Sequence, residues 1–160
     1  MERLWAPWRM AYVGAEPPAG CIFCTKPAED RDEQNYILHR GERAFAMMNA
    51  FPYNSGHLLI APYRHTGDLG TLAGDELLDL MQLVQVSLAA LGRAFHPNGH
   101  NVGMNLGRAG GAGIADHVHL HIVPRWDGDT NFMPVLADTK VLPEALAETY
   151  RKLREAWRAP

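Results

Sequence analysis

The segment His117-Val118-His119-Leu120-His121-Ile122-Val123 alternates imidazole and apolar side chains without a break, and an extended strand sends successive side chains to opposite faces. The pattern predicts a strand with His117, His119 and His121 on one face and Val118, Leu120 and Ile122 on the other. Such a strand needs a sheet beside it and a core beneath it. Short β-compatible runs at 36–38, 43–48 and 57–61, separated by turn residues at 39–42 and 52–56, predict consecutive antiparallel strands, and a further strand is predicted over 101–106. Between 75 and 95, Leu77, Leu80, Met81, Val84, Leu88, Leu91 and Phe95 recur every three or four positions, which predicts a helix with one buried face. Pro97 and Gly99 end it. A last helix is predicted over 143–157, with Pro143 opening it and Leu146, Tyr150, Leu153 and Trp157 on one side. The expected fold is α+β: an antiparallel sheet of about five strands, covered on one face by one long helix and a C-terminal helix.

Composition bounds the rest. With 160 residues, 47% apolar and 21% charged, the chain has the size and core content of one domain. It divides into an N-terminal arm (1–20), a core (21–125) and a C-terminal extension with a helix (126–160). A net charge of -3 supplies no positive field for a nucleic-acid backbone, so no nucleic-acid partner is expected. No apolar run approaches the ~18 residues of a membrane span, and residues 1–7 lack the apolar core of a signal peptide. With only two cysteines, too few for a disulfide framework, the expected location is cytoplasmic.

Three imidazoles in a row support two chemistries. His-x-His is a common spacing for metal ligands, and in nucleophilic catalysis one imidazole attacks while its neighbours orient it. The loop 107–113 holds four glycines, Gly107, Gly110, Gly111 and Gly113, and glycine-rich backbone can turn N–H groups toward an anion. Placed next to the imidazoles, it favours transfer at phosphorus. Cys21-Ile22-Phe23-Cys24 has the spacing of a zinc knuckle, but a tetrahedral site needs two more ligands. A redox role for the pair is disfavoured, because Pro27 follows closely and nothing after Cys24 reads as the opening of a helix.

The pattern at 117–123 resembles the signature of the histidine triad family of nucleotide hydrolases and transferases. Phe45-Ala46-Met47-Met48-Asn49, Ser55-Gly56-His57-Leu58-Leu59-Ile60-Ala61-Pro62, Asn105 and the glycine loop stand where that family's core has its counterparts, so the resemblance spans about 21–125. The extension Pro124-Arg125-Trp126-x-Gly128-Asp129-Thr130-Asn131-Phe132 is similar to that of bacterial members related to diadenosine tetraphosphate phosphorylases.

The resemblance implies that His119 attacks the α-phosphorus of a nucleotide and carries the nucleotidyl group, with His121 beside the phosphate and His57 packed near the triad. It implies that Asn49 holds the ribose, Asn105 holds a phosphate oxygen or the leaving group, and Ile22, Phe23 and Met47 line the base pocket. Where many members have Gln or Ser before the triad, this chain has Gly113 and Ile114, which leaves the N–H groups of Ala112 and Gly113 as the expected anion donors. Arg108 and Arg125 are candidates for an acceptor-phosphate site. Some members bind zinc through Cys-x-x-Cys and two histidines, which here would be Cys21, Cys24, His65 and His117, with Zn2+ as a structural ion. The implied activity is cleavage of a dinucleoside polyphosphate, by phosphate or by water, in a homodimer. The alternatives are a nucleoside phosphoramidase, a nucleotide-binding or zinc-stabilised interaction module without turnover, and a metal-centred enzyme that uses all three histidines as ligands.

Overall fold

Over residues 20–129 and 144–158, which the computed structural model describes, the chain forms α1 (Ile22–Ala28), β1 (Ile37–Arg40), β2 (Ala44–Met48), β3 (Leu58–Pro62), α2 (Gly74–Phe95), β4 (Gly99–Met104), β5 (Leu120–Arg125) and α3 (Leu146–Arg158). The expected N-terminal arm, apart from its last residue, and residues 130–143 of the extension lie outside the described residues. The five strands form one antiparallel sheet in the order β1-β2-β3-β5-β4. The fold is α+β, as expected.

The alternation at the histidines holds, although the ladder begins only at Leu120. Val118, Leu120 and Ile122 enter the core shared with α2 and α3, while His117 and His119 precede the paired strand. Val118 N–H donates to Thr66 O at 2.7 Å, so the approach to the strand is held by a loop instead of a neighbouring strand.

Helix α2 buries Leu80, Leu83, Val84, Ser87, Ala90 and Leu91. Leu77 and Met81, expected on that face, are 39% and 53% exposed; the buried stripe follows the 3.6-residue period through Leu83, Ser87 and Ala90 instead. With 22 residues and a mean hydropathy of 1.2 over its most apolar window, α2 has the length and composition of a membrane span, although polar residues interrupt every apolar run in it. One of its faces packs on the sheet. Asp79, on its first turns, accepts from the N–H groups of Arg43 at 2.7 Å and Ala44 at 2.9 Å, tying the β1–β2 turn to the helix.

The sheet is covered on both faces, contrary to expectation. Phe23 of α1 joins Ile37, Phe45, Met47, Leu59 and Ala61 in a second apolar cluster, and every residue of β2 is buried. A helix does open at this point in the chain, around the cysteines, and Pro27 lies inside it. The proline costs the helix the bond that residue 27 would otherwise donate to Phe23 O. The terminal carbonyls are satisfied from outside: Arg40 donates to Pro27 O at 2.7 Å and Glu29 O at 3.0 Å, and Asn35 donates to Lys26 O at 3.3 Å. Tertiary contacts thus supply what the local sequence lacks.

A candidate active site beside a cysteine–histidine cluster

The turn between β2 and β3 delivers His57 to the histidine row. Gly56 is at φ +79°, and a Cβ there would meet Leu91 at 3.1 Å and Phe95 and Pro124 at 3.3 Å, so the turn can close on the core only with glycine. Asn54 is buried and donates to Pro124 O at 3.0 Å and to Asp129 Oδ2 at 2.9 Å. His57 then lies beside His121, ring centroids 5.1 Å apart, and His121 lies 4.9 Å from His119.

The hydrogen bonds fix where the protons sit. Tyr53 N–H donates to His57 Nδ1 at 3.1 Å, and a ring nitrogen that accepts carries no proton. Neutral His57 therefore keeps its proton on Nε2, which donates to His121 Nδ1 at 2.9 Å. Neutral His121 in turn carries its proton on Nε2, a buried atom with no hydrogen-bond partner among the described residues. For His119 the logic is shorter: Nδ1 lies 2.8 Å from His117 O, and a carbonyl only accepts. Nδ1 holds the proton, and the lone pair is on Nε2. Burial, reinforced by the neighbouring imidazoles, pushes His57 down to about 3 and His121 down to about 4. Burial also lowers His119, against the opposing bond to the His117 carbonyl. At neutral pH this is a row of uncharged rings with a defined proton order.

Phe23 packs its ring 4.7 Å from His119 and 5.3 Å from His117. Phe23 and Met47 are each 1% exposed, so both lie in the core behind the histidines, while Ile22 packs at the edge of that cluster. Asn49 donates toward His57 Nδ1 at 3.3 Å and accepts from Phe51 N–H at 2.9 Å. The remaining expected residues fall in two clefts. One, of about 380 Å³, is lined by Asn105 and His121 together with Tyr53, Asn54, Asn101, Gly103 and Arg125. The other, of about 600 Å³, is lined by Arg108, Ala112 and Gly113 with Cys21 and His65. His119 lines neither. Within the glycine loop, Ala112 N–H donates to Gly107 O at 3.2 Å, so that group is spent locally, whereas Gly113 is exposed. Arg125 is committed to Asp129 through two bonds of 2.6 and 2.9 Å and to Asn101 Oδ1 at 2.8 Å, which removes it as a ready anion donor.

The sequence alone does not mark Tyr53, Asn54 and Asn101 as site residues. In the chain they read as turn and strand-surface residues, and only the aromatic ring of Tyr53 in an otherwise polar turn was a signal.

On the other side of His119, Cys21, Cys24, His65 and His117 bring their ligand atoms within 4.8 Å of one another. Cys21 Sγ lies 3.3 Å and Cys24 Sγ 3.6 Å from His117 Nδ1, Cys24 Sγ is 3.4 Å from His65 Nδ1, and the two Nδ1 atoms are 3.3 Å apart. Zinc bonds of ~2.3 Å to sulfur and ~2.0–2.1 Å to nitrogen give tetrahedral edges of about 3.3–3.8 Å, so the four donors fit a zinc ion. His117 Nε2–H donates to Pro62 O at 2.8 Å, the outer bond that orients a ligating imidazole. Burial and the adjacent Cys21 raise the Cys24 thiol, a cost that a bound cation would relieve. His65 is placed by its neighbours: Arg64 binds both oxygens of Glu76 at 2.8 Å, and a Cβ on Gly67 would come within 2.6 Å of Ala115 O, so the His65 loop lies directly on the segment leading to His117.

The HIT domain family profile matches residues 31–128. The chain belongs to the HIT domain family. It is 36% identical over 165 aligned positions to an AP-4-A phosphorylase of Mycobacterium tuberculosis, covering 98% of this chain and 85% of the relative. It is also 31% identical to a Schizosaccharomyces pombe bis(5'-nucleosyl)-tetraphosphatase, over 58% of this chain and 50% of that one. Among solved structures, the fold superposes on a zinc-bound histidine triad family protein from Mycobacterium smegmatis with a TM-score of 0.69 at 26% identity, covering 86% of this chain and 93% of that one. His117, His119 and His121 lie within the matched span, and His117 also belongs to the cysteine–histidine cluster.

Proposed function

We propose that this chain cleaves a dinucleoside polyphosphate by two successive displacements at the α-phosphorus, with His119 as the nucleophile. The observation that carries the reading is the bond from His119 Nδ1–H to the His117 carbonyl, which leaves the Nε2 lone pair as the attacking atom. In the first step Nε2 forms a bond to the α-phosphorus and the phosphoanhydride oxygen departs. His121, whose Nε2–H is unpaired among the described residues, donates to that oxygen. A polyphosphate leaving group is a weak base, so positioning and hydrogen bonding suffice. In the second step the acceptor attacks the nucleotidyl-histidine and restores His119.

The acceptor in this proposal is inorganic phosphate. The M. tuberculosis relative, which matches almost the whole chain, is named as a phosphorylase, and exposed Arg108 beside Gly113 supplies the charge that an incoming phosphate needs. Asn49 and Asn105 are assigned to the ribose and the phosphate, and Ile22, Phe23 and Met47 to the base side of the site. Cys21, Cys24, His65 and His117 hold a structural zinc ion, which joins α1 to the histidine segment and supplies folding free energy, not chemistry.

We also propose a homodimer. Tyr150 donates to Ile37 O at 2.9 Å and Arg154 to Leu38 O at 2.6 Å, so α3 caps the β1 edge. The β4 edge exposes Asn101, Val102 and Gly103 and is the edge open to pairing.

Product analysis tests the activity. Diadenosine tetraphosphate with phosphate should yield ADP and ATP, and an Arg108→Ala change should weaken phosphate use more than substrate binding. AMP released at a rate indifferent to phosphate would make the acceptor water and remove the role given to Arg108. Turnover of an adenosine phosphoramidate in preference to the tetraphosphate would favour the phosphoramidase reading, which the same His121 donor could serve.

A further inference from the structure

We propose that the cleft beside His121 is a stacking subsite for the second nucleoside of the substrate, the one that departs, with Tyr53 as its platform. The inference rests on the nucleotidyl-transfer reading above and deepens it. His119, His121, Val123 and Arg125 occupy successive positions on one face, about 6.6 Å apart along an extended chain. The cleft runs from Asn105, which follows the Met104–Leu120 pair on the side toward His119, past His121 and Val123 to Arg125, so most of its length lies beyond His121 from the nucleophile. A nucleoside that departs past His121 has this cleft before it.

The walls select what fits. Tyr53 is 58% exposed, although its ring lies nearly parallel to His121, with centroids 5.9 Å apart and planes at 13°. An exposed ring braced from behind can stack a second planar group on its open side. The cleft's cation, Arg125, is neutralised by Asp129, so this wall does not favour a free phosphate. Asn101 and Asn105 offer amide groups for polar edges. At about 380 Å³, the space lies within the usual range of small-ligand pockets. A planar, neutral group with hydrogen-bonding edges is a nucleobase, and the phosphates joining it to the α-phosphorus would pass His121 and Asn105.

Side-chain changes at Tyr53 leave its backbone N–H, and hence the proton order of His57, in place. The test compares kcat/KM for diadenosine tetraphosphate with that for adenosine 5'-tetraphosphate, which has the same scissile anhydride but no second nucleoside. Tyr53→Ala should lower the ratio about tenfold, the size of one lost base–aromatic stack, while Tyr53→Phe keeps it. Equal losses on both substrates in Tyr53→Ala would overturn the proposal, since the ring would then serve only the histidines or the transferred nucleoside. A wild-type ratio near one would also overturn it. A wild-type protein that cleaves neither compound would instead bring down the nucleotidyl-transfer reading itself.

Discussion

The carbonyl oxygen of His117 accepts the Nδ1–H of His119 at 2.8 Å, while the His117 ring, two atoms of which face Cys21 and Pro62, belongs to the cysteine–histidine cluster. One residue therefore connects the two parts of the site. Its ring anchors the segment and its backbone sets the tautomer of the nucleophile, so disturbing the cluster should also disturb the orientation of His119.

Replacing His119 with Asn should abolish the covalent nucleotidyl intermediate and reduce turnover by several orders of magnitude, as expected when a nucleophile is removed. Nucleotide binding should persist within a modest factor. Intact-protein mass spectrometry after brief exposure to diadenosine tetraphosphate should show the added nucleotidyl group on wild type only. An adduct retained by the variant would reassign the nucleophile.

The purified protein should hold one zinc ion per chain, and Cys21→Ser should lose it. Because binding free energy at such a site is folding free energy, the variant or the chelated protein should be less stable by several kcal/mol, on the order of a 10 °C fall in Tm. Elemental analysis and thermal denaturation check both points. Full stability in metal-free protein would contradict the zinc proposal.

Acid should destabilise the protein in part through His57. Its pKa is depressed from 6.5 to about 3 in the fold, so below pH 6.5 the unfolded chain binds a proton that the native state refuses. Stability from this group is complete above pH 6.5 and falls as pH drops from there toward 3, by about 1.4 kcal/mol per pH unit for one proton. Urea denaturation between pH 7 and 5 should show a shallower decline in His57→Gln than in wild type. Parallel curves would show that His57 is protonated in the native state.

Light scattering at micromolar concentration should give the mass of a dimer, and Val102→Lys should shift it to that of a monomer, because two lysines would meet across the paired β4 edges. Val102 is 44% exposed in the single chain, so the variant should fold normally. A monomeric wild type would rule out the assembly.

Much of this protein can be read in its sequence because the features concerned are periodic or local. The two-residue alternation at 117–123 names the strand, its buried face and its functional face, and the three-to-four spacing of 75–95 names the long helix. The Cys-x-x-Cys spacing announces a ligand pair. What escaped were properties that depend on distant partners. Helix α1 forms around Cys21 and Cys24 despite Pro27 because Arg40, in β1, satisfies its last carbonyls. Leu77 and Met81 have the right spacing for the core, yet the rotation of α2 on the sheet leaves them exposed. Arg125 looks like a free cation until Asp129 folds back onto it. The proton order of His57 and His121 depends on a backbone N–H in a turn. Residue order and type determined which side chains share a face, since that follows from the geometry of a single strand or helix. Tertiary structure decided which of those groups are desolvated, paired or left open, since hydrogen bonding and burial belong to contacts between segments far apart in the chain.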